Sequence, residues 1–522
     1  MTPPVLPQGW TEGYIGQEAA AIEAIYRILL PDTALDLHLT CAAAPFWGAP
    51  KVLNGNKATS PGLIARRKLP GRDAGLTLRI GVPAPSDRKL EHSGPHPIPD
   101  RVSHRLLQLH PLLYETFLHL HAQRLQRRAF RIHPTAPVVR ANPAPLAKVA
   151  ARVSPAILIG VHWLEVGGAE NLAFDCIRWA LAAGLRVFVV ACVPAPQSLA
   201  CRLPDSPDLT FLRLDRYLDR THWPEFVSNL IRAENIGIVH IHHCHALYDC
   251  LPVLKSRHAG VTVIDSTHIV EHSDGGFPRI SGVWTRHIDH HHVISRDLAG
   301  FFQARFGTGS NVRLGRMLDR ATTPARLPSP NLAAGAKRIG VAFVGRLGHQ
   351  KRPVLVLETM RALLRLGARR GLAVDLTVLG DGPFLQLLQD LAPKRGMAGA
   401  IRFLPPDADV PALLAGSDFL ILPSANEGLA LVLYEAALNG CLPISCDVGA
   451  QAEMLPGALR VPTAPLGAVR GICRVIDTLT NDAKALAMAH AALQKKWDSI
   501  IADQTASEVL MPLYLAAAKG GG

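Results

Sequence analysis

The chain lacks any C-x-x-C pair: its nine cysteines, at 41, 176, 192, 201, 244, 250, 441, 446 and 473, are scattered through 522 residues. That spacing excludes the disulfide framework of a small secreted domain and reads as reduced thiols in a cytoplasm. Aromatic residues are few, at 6%, and no basic platform interleaved with aromatics stands out, so nucleic acid is not expected as a partner. Uninterrupted apolar runs are missing as well. The most apolar stretch, around residues 172–194, is broken by Asp175, Arg178 and Arg186, which a spanning helix of about 20 apolar residues tolerates poorly. The first residues lack the basic and then apolar pattern of a secretory signal. A cytoplasmic protein is the resulting expectation, with contact at the inner face of a membrane as an option.

Hydrophobic residues at 48% and charged residues at 19% are an ordinary globular balance. The length exceeds the roughly 250 to 300 residues at which single cores stop growing, so two or three domains are expected. Lys and Arg outnumber Asp and Glu by 55 to 42, and the first 150 residues account for 18 against 10 of these. A basic N-terminal region suits an anionic partner.

Residues 1–150 read as an irregular, proline-punctuated extension of unknown role. Within it, residues 103–132 predict an amphipathic helix capped by Ser103, kinked at Pro111 and ending in Arg124, Arg127, Arg128 and Arg131. The arginines suit the negative end of the helix dipole or an anionic membrane. Leu106, Leu109, Leu113, Phe117 and Leu120 are expected to pack the helix onto the first sheet domain if it does not dock on lipid. From Ser154 onward, short β-rich runs such as AILIGVHW, RVFVVACV, FLRLDR and IGIVHIHH alternate with helical stretches. The pattern restarts after an Ala/Pro/Gly linker at 321–336 with RIGVAFVGR, VDLTVLGDG, DFLILPS and CLPISCD. Such alternation predicts an α/β fold with two doubly wound parallel-sheet domains, at 154–320 and 337–500, followed by a C-terminal helix and tail at 501–522. Ligands are then expected at the carboxyl ends of the strands, in the crevice between the domains.

Three strand-end segments carry chemistry. Gly167 and Gly168 follow the first strand of the first sheet, where glycine lets a ligand approach the backbone at a helix start. In the second sheet, Gly345 is followed by Arg346, Lys351 and Arg352. A forked guanidinium and a point charge at a strand end are a recipe for holding a diphosphate, where a plain solvated basic turn is the alternative. The stretch from Pro423 to Ala436 holds Glu427 and Glu435, eight positions apart. On one helix that spacing is about 12 Å of rise and about 80° of rotation, so they form no close pair. With Glu427 in a loop and Glu435 in the next helix, each can take different hydroxyls of one extended ligand.

These segments resemble the glycosyltransferases of family 4. The likeness rests on Glu427 and Glu435 as an E-x7-E signature, on Arg346 and Lys351, on Gly380 to Pro383, on Pro423 to Gly428, on Gly440 to Pro443 with Gly449 and Glu453, and on Gly167 to Glu170. It covers roughly residues 155–515. The resemblance implies a GT-B arrangement and a retaining transfer of a hexose-type sugar from a nucleoside-diphosphate sugar to an acceptor hydroxyl. It implies no metal cofactor. The acceptor would be a sugar or lipid-linked molecule in polysaccharide or glycolipid assembly. Arg346 and Lys351 would hold the diphosphate, Glu435 the ribose and Glu427 the transferred sugar. Gly345 and the backbone of Gly428, Leu429, Ala430 and Leu431 would line the donor, with Gly167 and Gly168 on the acceptor side. His268 resembles the family's first-domain histidine near the sugar, although Ile269 stands where the family often has Asp. Leu314, Gly315 and Arg316 also replace the usual Pro-Asn-Gly.

Eleven of the 23 histidines fall between 240 and 292. Neighbours on a strand point to opposite faces, and no C-x-x-C or H-E-x-x-H frame accompanies them, so packed or crevice-lining rings are expected rather than a metal site. Two other classes remain open, since fold does not set function: a nucleotide-sugar epimerase or phosphorylase on the same architecture, and a non-catalytic scaffold. Retention of Arg346, Lys351, Glu427 and Glu435 together argues against the last.

Overall fold

The computed structural model describes residues 10–42, 51–52, 62–84, 100–129, 154–165 and 167–519. Arg131, Val166 and the proline clusters at 3–7 and 134–145 lie outside the described residues.

The first parallel sheet uses β5 (Ala156–Val161), β6 (Arg186–Ala191), β7 (Leu209–Leu212), β8 (Ile236–His242), β9 (Thr262–Thr267), β10 (His290–Val293) and β11 (Val312–Leu314). Their order is β11-β10-β9-β8-β5-β6-β7, every pairing parallel. The second sheet comprises β12 (Arg338–Val344), β13 (Ala373–Leu379), β14 (Ile401–Leu404), β15 (Phe419–Leu422), β16 (Leu442–Cys446) and β17 (Arg460–Val461). It is also parallel throughout, in the order β14-β13-β12-β15-β16-β17. Helices cover both faces, which is why β5 and β15 are apolar without alternation and wholly buried. The α/β class with two doubly wound domains is as expected. Strand order reverses between β5 and β8 in one sheet and between β12 and β15 in the other, so the loops after these strands open at the topological switch points.

One strand expectation needs correction. FLRLDR is not a strand throughout: β7 stops at Leu212, and Leu214–Tyr217 is a short helix. The break comes where Arg213 pairs with the buried Asp215 at 2.7 Å, a local ion pair that redirects the chain. Edge strands β11 and β17 are too short to show a period.

The extension is far from irregular. The helix Glu12–Leu29 is capped by Thr11, which accepts from the Tyr14 amide, and buries Ile15, Ala19, Ile22, Tyr26 and Leu29 at helical spacing. A four-stranded mixed sheet follows, ordered β2-β4-β1-β3, from β1 (Thr33–Ala42), β2 (Lys51–Val52), β3 (Leu63–Leu69) and β4 (Asp73–Pro83). The helix joins the core of the first domain, where the Tyr26 hydroxyl donates to the Tyr217 carbonyl at 3.0 Å and Asn229 donates to the Leu29 carbonyl at 3.2 Å.

The amphipathic segment forms two helices, Asp100–Leu109 and Pro111–Ala129. It starts ahead of Ser103 and breaks at His110, where Pro111 supplies a favourable first helical residue. Its docking overturns the expected face. Leu107, Tyr114 and Glu115 are buried, against the second domain rather than the first. Leu109, Leu113, Phe117 and Leu120 are 71%, 59%, 45% and 51% exposed. The anchor includes an acid paired with Arg352 and a bond from Arg395 to the Gln108 carbonyl at 2.9 Å, neither of which hydrophobic periodicity reveals. The extension therefore touches both domains, its first part the first and its last helices the second.

Candidate functional site

The loop after β12 begins with Gly345 at φ +148° and runs against the loop after β13, where Gly380 has φ +144°. A Cβ on Gly380 would lie 2.1 Å from the Gly345 carbonyl oxygen, so the two backbones can touch only because position 380 is glycine, while Gly345 is needed for its positive φ. Bonds from the Leu347 amide to the Asp381 carbonyl (2.8 Å) and from the Phe384 amide to the Leu347 carbonyl (3.1 Å) lock the loops together. The chain then makes a single 3-10 turn, His349–Lys351, before the helix Pro353–Arg370. Arg346, in the loop just ahead of this turn, is exposed and makes no ion pair among the described residues.

The loop after β15 comes from the other side of the switch point. Lys351 Nζ donates to Glu427 Oε1 at 2.6 Å, the lysine side chain 19% and the glutamate 6% exposed. The Ala425 amide donates to the Gln350 carbonyl (2.7 Å) and Gln350 Nε2 to the Asn426 carbonyl (2.9 Å), fastening the two loops backbone and side chain. Glu427 thus lies in a loop, whereas Glu435 is exposed on the helix Leu431–Leu438. Leu429 and Ala430 are buried. Ala430 caps that helix with no side-chain bond, leaving amides of its first turn to face an anion.

The first domain meets this loop at the end of β9. A Cβ on Gly428 would fall 1.8 Å from the His268 carbonyl oxygen, a backbone approach between domains that only glycine permits. Asn426 Nδ2 donates to the Val270 carbonyl at 3.0 Å. His268 is buried with Nε2 unpartnered among the described residues, and burial, then His292, holds its ring down to about 3, so it is neutral near pH 7. Gly167 caps the helix Gly168–Ala182 without a side-chain bond, beside Trp163, whose Nε1 donates to Glu170 Oε1 at 3.0 Å.

A cavity of about 580 Å³ opens beside the junction, walled by Asn426, Glu427 and Gly428, by His272 and Phe301 of the first domain, and by Gln126 of the extension. Of the residues singled out in the sequence, Glu427, Gly428 and Gly449 line it; Gly345, Arg346, Lys351 and Glu435 do not. Sequence reasoning missed Gln126, Asn426 and His272, which carry no local signal. It also missed the use of Glu453, which accepts from the Asp297 amide at 2.9 Å and pairs with buried Arg316 at 2.6 Å across the domains.

Among the described residues one group could converge on a metal: Cys176, His240 and His242, with ligand atoms within 4.8 Å of one another. His240 is already engaged on both sides, Nδ1 with the Tyr514 hydroxyl (2.7 Å) and Nε2 with Ser266 (2.9 Å). The Cys176 thiol is also hydrogen-bonded to Tyr514, which leaves His242 alone uncommitted, short of the three or four ligands a zinc ion takes from protein.

Residues 166–314 match the family model described as Glycosyltransferase Family 4, and residues 329–457 match Glycosyl transferases group 1. Over 194 residues the chain is 31% identical to a glycogen synthase of Mycobacterium tuberculosis, covering 36% of this chain and 46% of that one. Over 183 residues it is 31% identical to a D-inositol 3-phosphate glycosyltransferase of Salinispora tropica, covering 33% and 37%. The match thus spans less than half the length of either relative. The crystal structure of Anabaena HepE in complex with UDP superposes with a TM-score of 0.51 at 15% identity, over 70% of this chain and 99% of that one. A glycosyltransferase from Rickettsia africae gives 0.50 at 14%, over 70% and 98%. At such identities the structures speak for the fold, while the two family models together cover more than half of the sequence, one on each parallel sheet. The chain belongs to the family 4 glycosyltransferases, with their GT-B fold.

Proposed function

We propose that the protein is a retaining, metal-independent glycosyltransferase that moves a hexose-type sugar from a nucleoside-diphosphate sugar to an acceptor hydroxyl, in polysaccharide or glycolipid assembly. The observation that carries this reading is the meeting of Lys351 with Glu427 at the switch point of the second sheet, next to the uncapped helix Leu431–Leu438. Arg346 and Lys351 neutralise the diphosphate as the bond to the sugar breaks, which lowers the barrier electrostatically. The acceptor oxygen attacks from the face the diphosphate leaves, and its proton passes to the departing phosphate oxygen as the bond to the sugar breaks. Glu427 accepts from hydroxyls of the transferred sugar, Glu435 from the ribose, and the backbone from Gly428 to Leu431 contacts sugar and phosphate. His268, neutral, offers a hydrogen bond rather than a charge, and Gly167 and Gly168 face the acceptor.

The test is transfer from a panel of UDP, GDP, ADP and TDP sugars, with the anomeric configuration of the product read by NMR. Retention supports the reading; an inverted product, or donor isomerisation without acceptor, overturns it. With the active donor, Glu435→Gln is expected to weaken binding of the free nucleoside diphosphate about tenfold, and Glu427→Gln mainly to slow transfer. Equal loss of nucleotide affinity in both would refute the division between ribose and sugar.

A membrane-borne acceptor is the finer part of the proposal. No helix among the described residues is long and apolar enough to cross a membrane. The helix Pro111–Ala129 and the end of the helix before it instead present Leu109, Leu113, Phe117 and Leu120 to solvent, with exposed Arg124, Arg127 and Arg128 at the end. Each basic residue near an anionic surface contributes about 1 kcal/mol. Flotation with phosphatidylglycerol vesicles is expected to carry the wild type at low salt and to lose it at high salt. Both Leu113→Ser with Phe117→Ser and the Arg124, Arg127, Arg128 and Arg131 to Ala variant are expected to stay behind. Absence of wild-type binding rejects the docking.

A further inference from the structure

The loop and turn bearing Arg346 and Lys351 are held from outside their own domain. Arg352, adjacent to Lys351, has a left-handed backbone with φ +48°, a strained conformation for a residue with a Cβ that persists only where the surroundings enforce it. Its side chain is almost wholly buried. From within the second domain, the Thr463 carbonyl accepts from Nη1 at 2.6 Å. The remaining two partners come from the helix Pro111–Ala129: His119 Nδ1 lies 3.1 Å from Nη2, and Glu115 Oε2 lies 3.6 Å from Nε. Tyr114, fully buried, sets its ring 6.5 Å from that of His349 in the same turn, and His349 packs edge-on to Phe384 at 4.6 Å.

A buried ion pair is a weak source of stability, because desolvation offsets its attraction; its best-attested use is to specify one arrangement. Here burial pushes the Glu115 carboxyl up to about 7 against the pull of Arg352, which marks the desolvation as large. The same helix brings Gln126 into the wall of the cavity that holds Glu427 and Gly428. Grip on the turn and entry to the cleft are thus supplied by one element of the extension.

We propose that Glu115 and His119 are positioning residues of the donor site: through Arg352 they set the left-handed turn that presents Lys351 to the donor diphosphate. This rests on the reading of the 345–352 turn as a diphosphate clamp.

The test is calorimetric titration of the full-length protein with UDP, GDP and ADP, using the tightest of them for the variants. Glu115→Ala is expected to weaken its binding about tenfold and to raise the donor KM in proportion. His119→Ala, at a less buried position, is expected to weaken binding about threefold and decides the matter if Glu115→Ala does not fold. Leu107→Ala, which removes an apolar anchor of the preceding helix without touching Arg352, should leave affinity within twofold. In a Lys351→Ala background, Glu115→Ala should add less than a twofold loss, because the group being positioned is gone. If the wild type binds none of the three diphosphates, the clamp reading fails and the inference with it. Binding by the wild type that is unchanged in Glu115→Ala and His119→Ala overturns the inference alone. An equal loss in Leu107→Ala also overturns it, by showing that helix docking in general is what matters.

Discussion

Replacing Lys351 by Ala is expected to lower the turnover of sugar transfer about 100-fold or more while the fold survives. A charge-assisted bond contributes about 1.5–3 kcal/mol, and each 1.4 kcal/mol is about tenfold in rate. The upper end applies here because the lysine is largely buried and has two roles in the proposed reaction: it would supply the cation for the departing diphosphate, and it pairs with Glu427, whose side chain is only 6% exposed. Removing it leaves a buried carboxylate without its partner beside a negatively charged donor. Arg346, exposed and outside any ion pair among the described residues, has only the first role, and Arg346→Ala is expected to cost about tenfold. Steady-state kinetics with the preferred donor separates the two, and wild-type turnover in Lys351→Ala would sink the clamp.

Acid is expected to unfold the first sheet domain between about pH 6 and 5. His240, His242, His268 and His292 are all buried there, and burial pushes each ring below the ordinary histidine range, His268 to about 3 and His292 to about 4. Their folded values lie below the unfolded value near 6.5, so the unfolded chain takes up protons first as pH falls. Stability is therefore full above about pH 7 and is lost progressively below it. One pH unit below 6.5, each ring costs about 1.4 kcal/mol, and four together cost roughly 6 kcal/mol, which is comparable with the whole stability of many domains. The rings are fixed by neutral partners: Ser266 stands between His240 Nε2 (2.9 Å) and His292 Nδ1 (3.0 Å), and His292 Nε2 meets the Gly315 carbonyl at 3.1 Å. Circular dichroism and tryptophan fluorescence followed from pH 8 to pH 4 check this. Native signal persisting at pH 4.5 would mean that these rings accept protons in place.

Much of this protein was legible without coordinates, and the reasons are local. Strands buried on both faces must be apolar along their whole length, so the run from Ala156 to Val161 and its counterparts announce a parallel sheet. Tight turns after such strands need glycine, so the loop carrying Gly345, Arg346 and Lys351 at a strand end could be placed from spacing, and the cations close to it in sequence are what suggest an anion there. A loop acid and a helix acid eight positions apart are equally visible in Glu427 and Glu435. The helix Glu12–Leu29 had the same kind of signal, in Ile15, Ala19, Ile22 and Tyr26, but the prolines around it masked the period.

What only the tertiary structure decided is which surfaces meet. Lys351 and Glu427 are 76 residues apart and Arg352 and His119 are 233 apart, and an ion pair or ring contact at such separation leaves no pattern in either segment. Periodicity in residues 106–120 correctly announced helix with an apolar stripe, yet Leu109, Leu113, Phe117 and Leu120 of that stripe face solvent, only Leu106 packs inward, and the buried side carries Tyr114 and Glu115. Hydrophobic spacing tells that a face can be buried; the partner that buries it, and whether a charged residue on the opposite side finds a better one, is a property of the assembled chain.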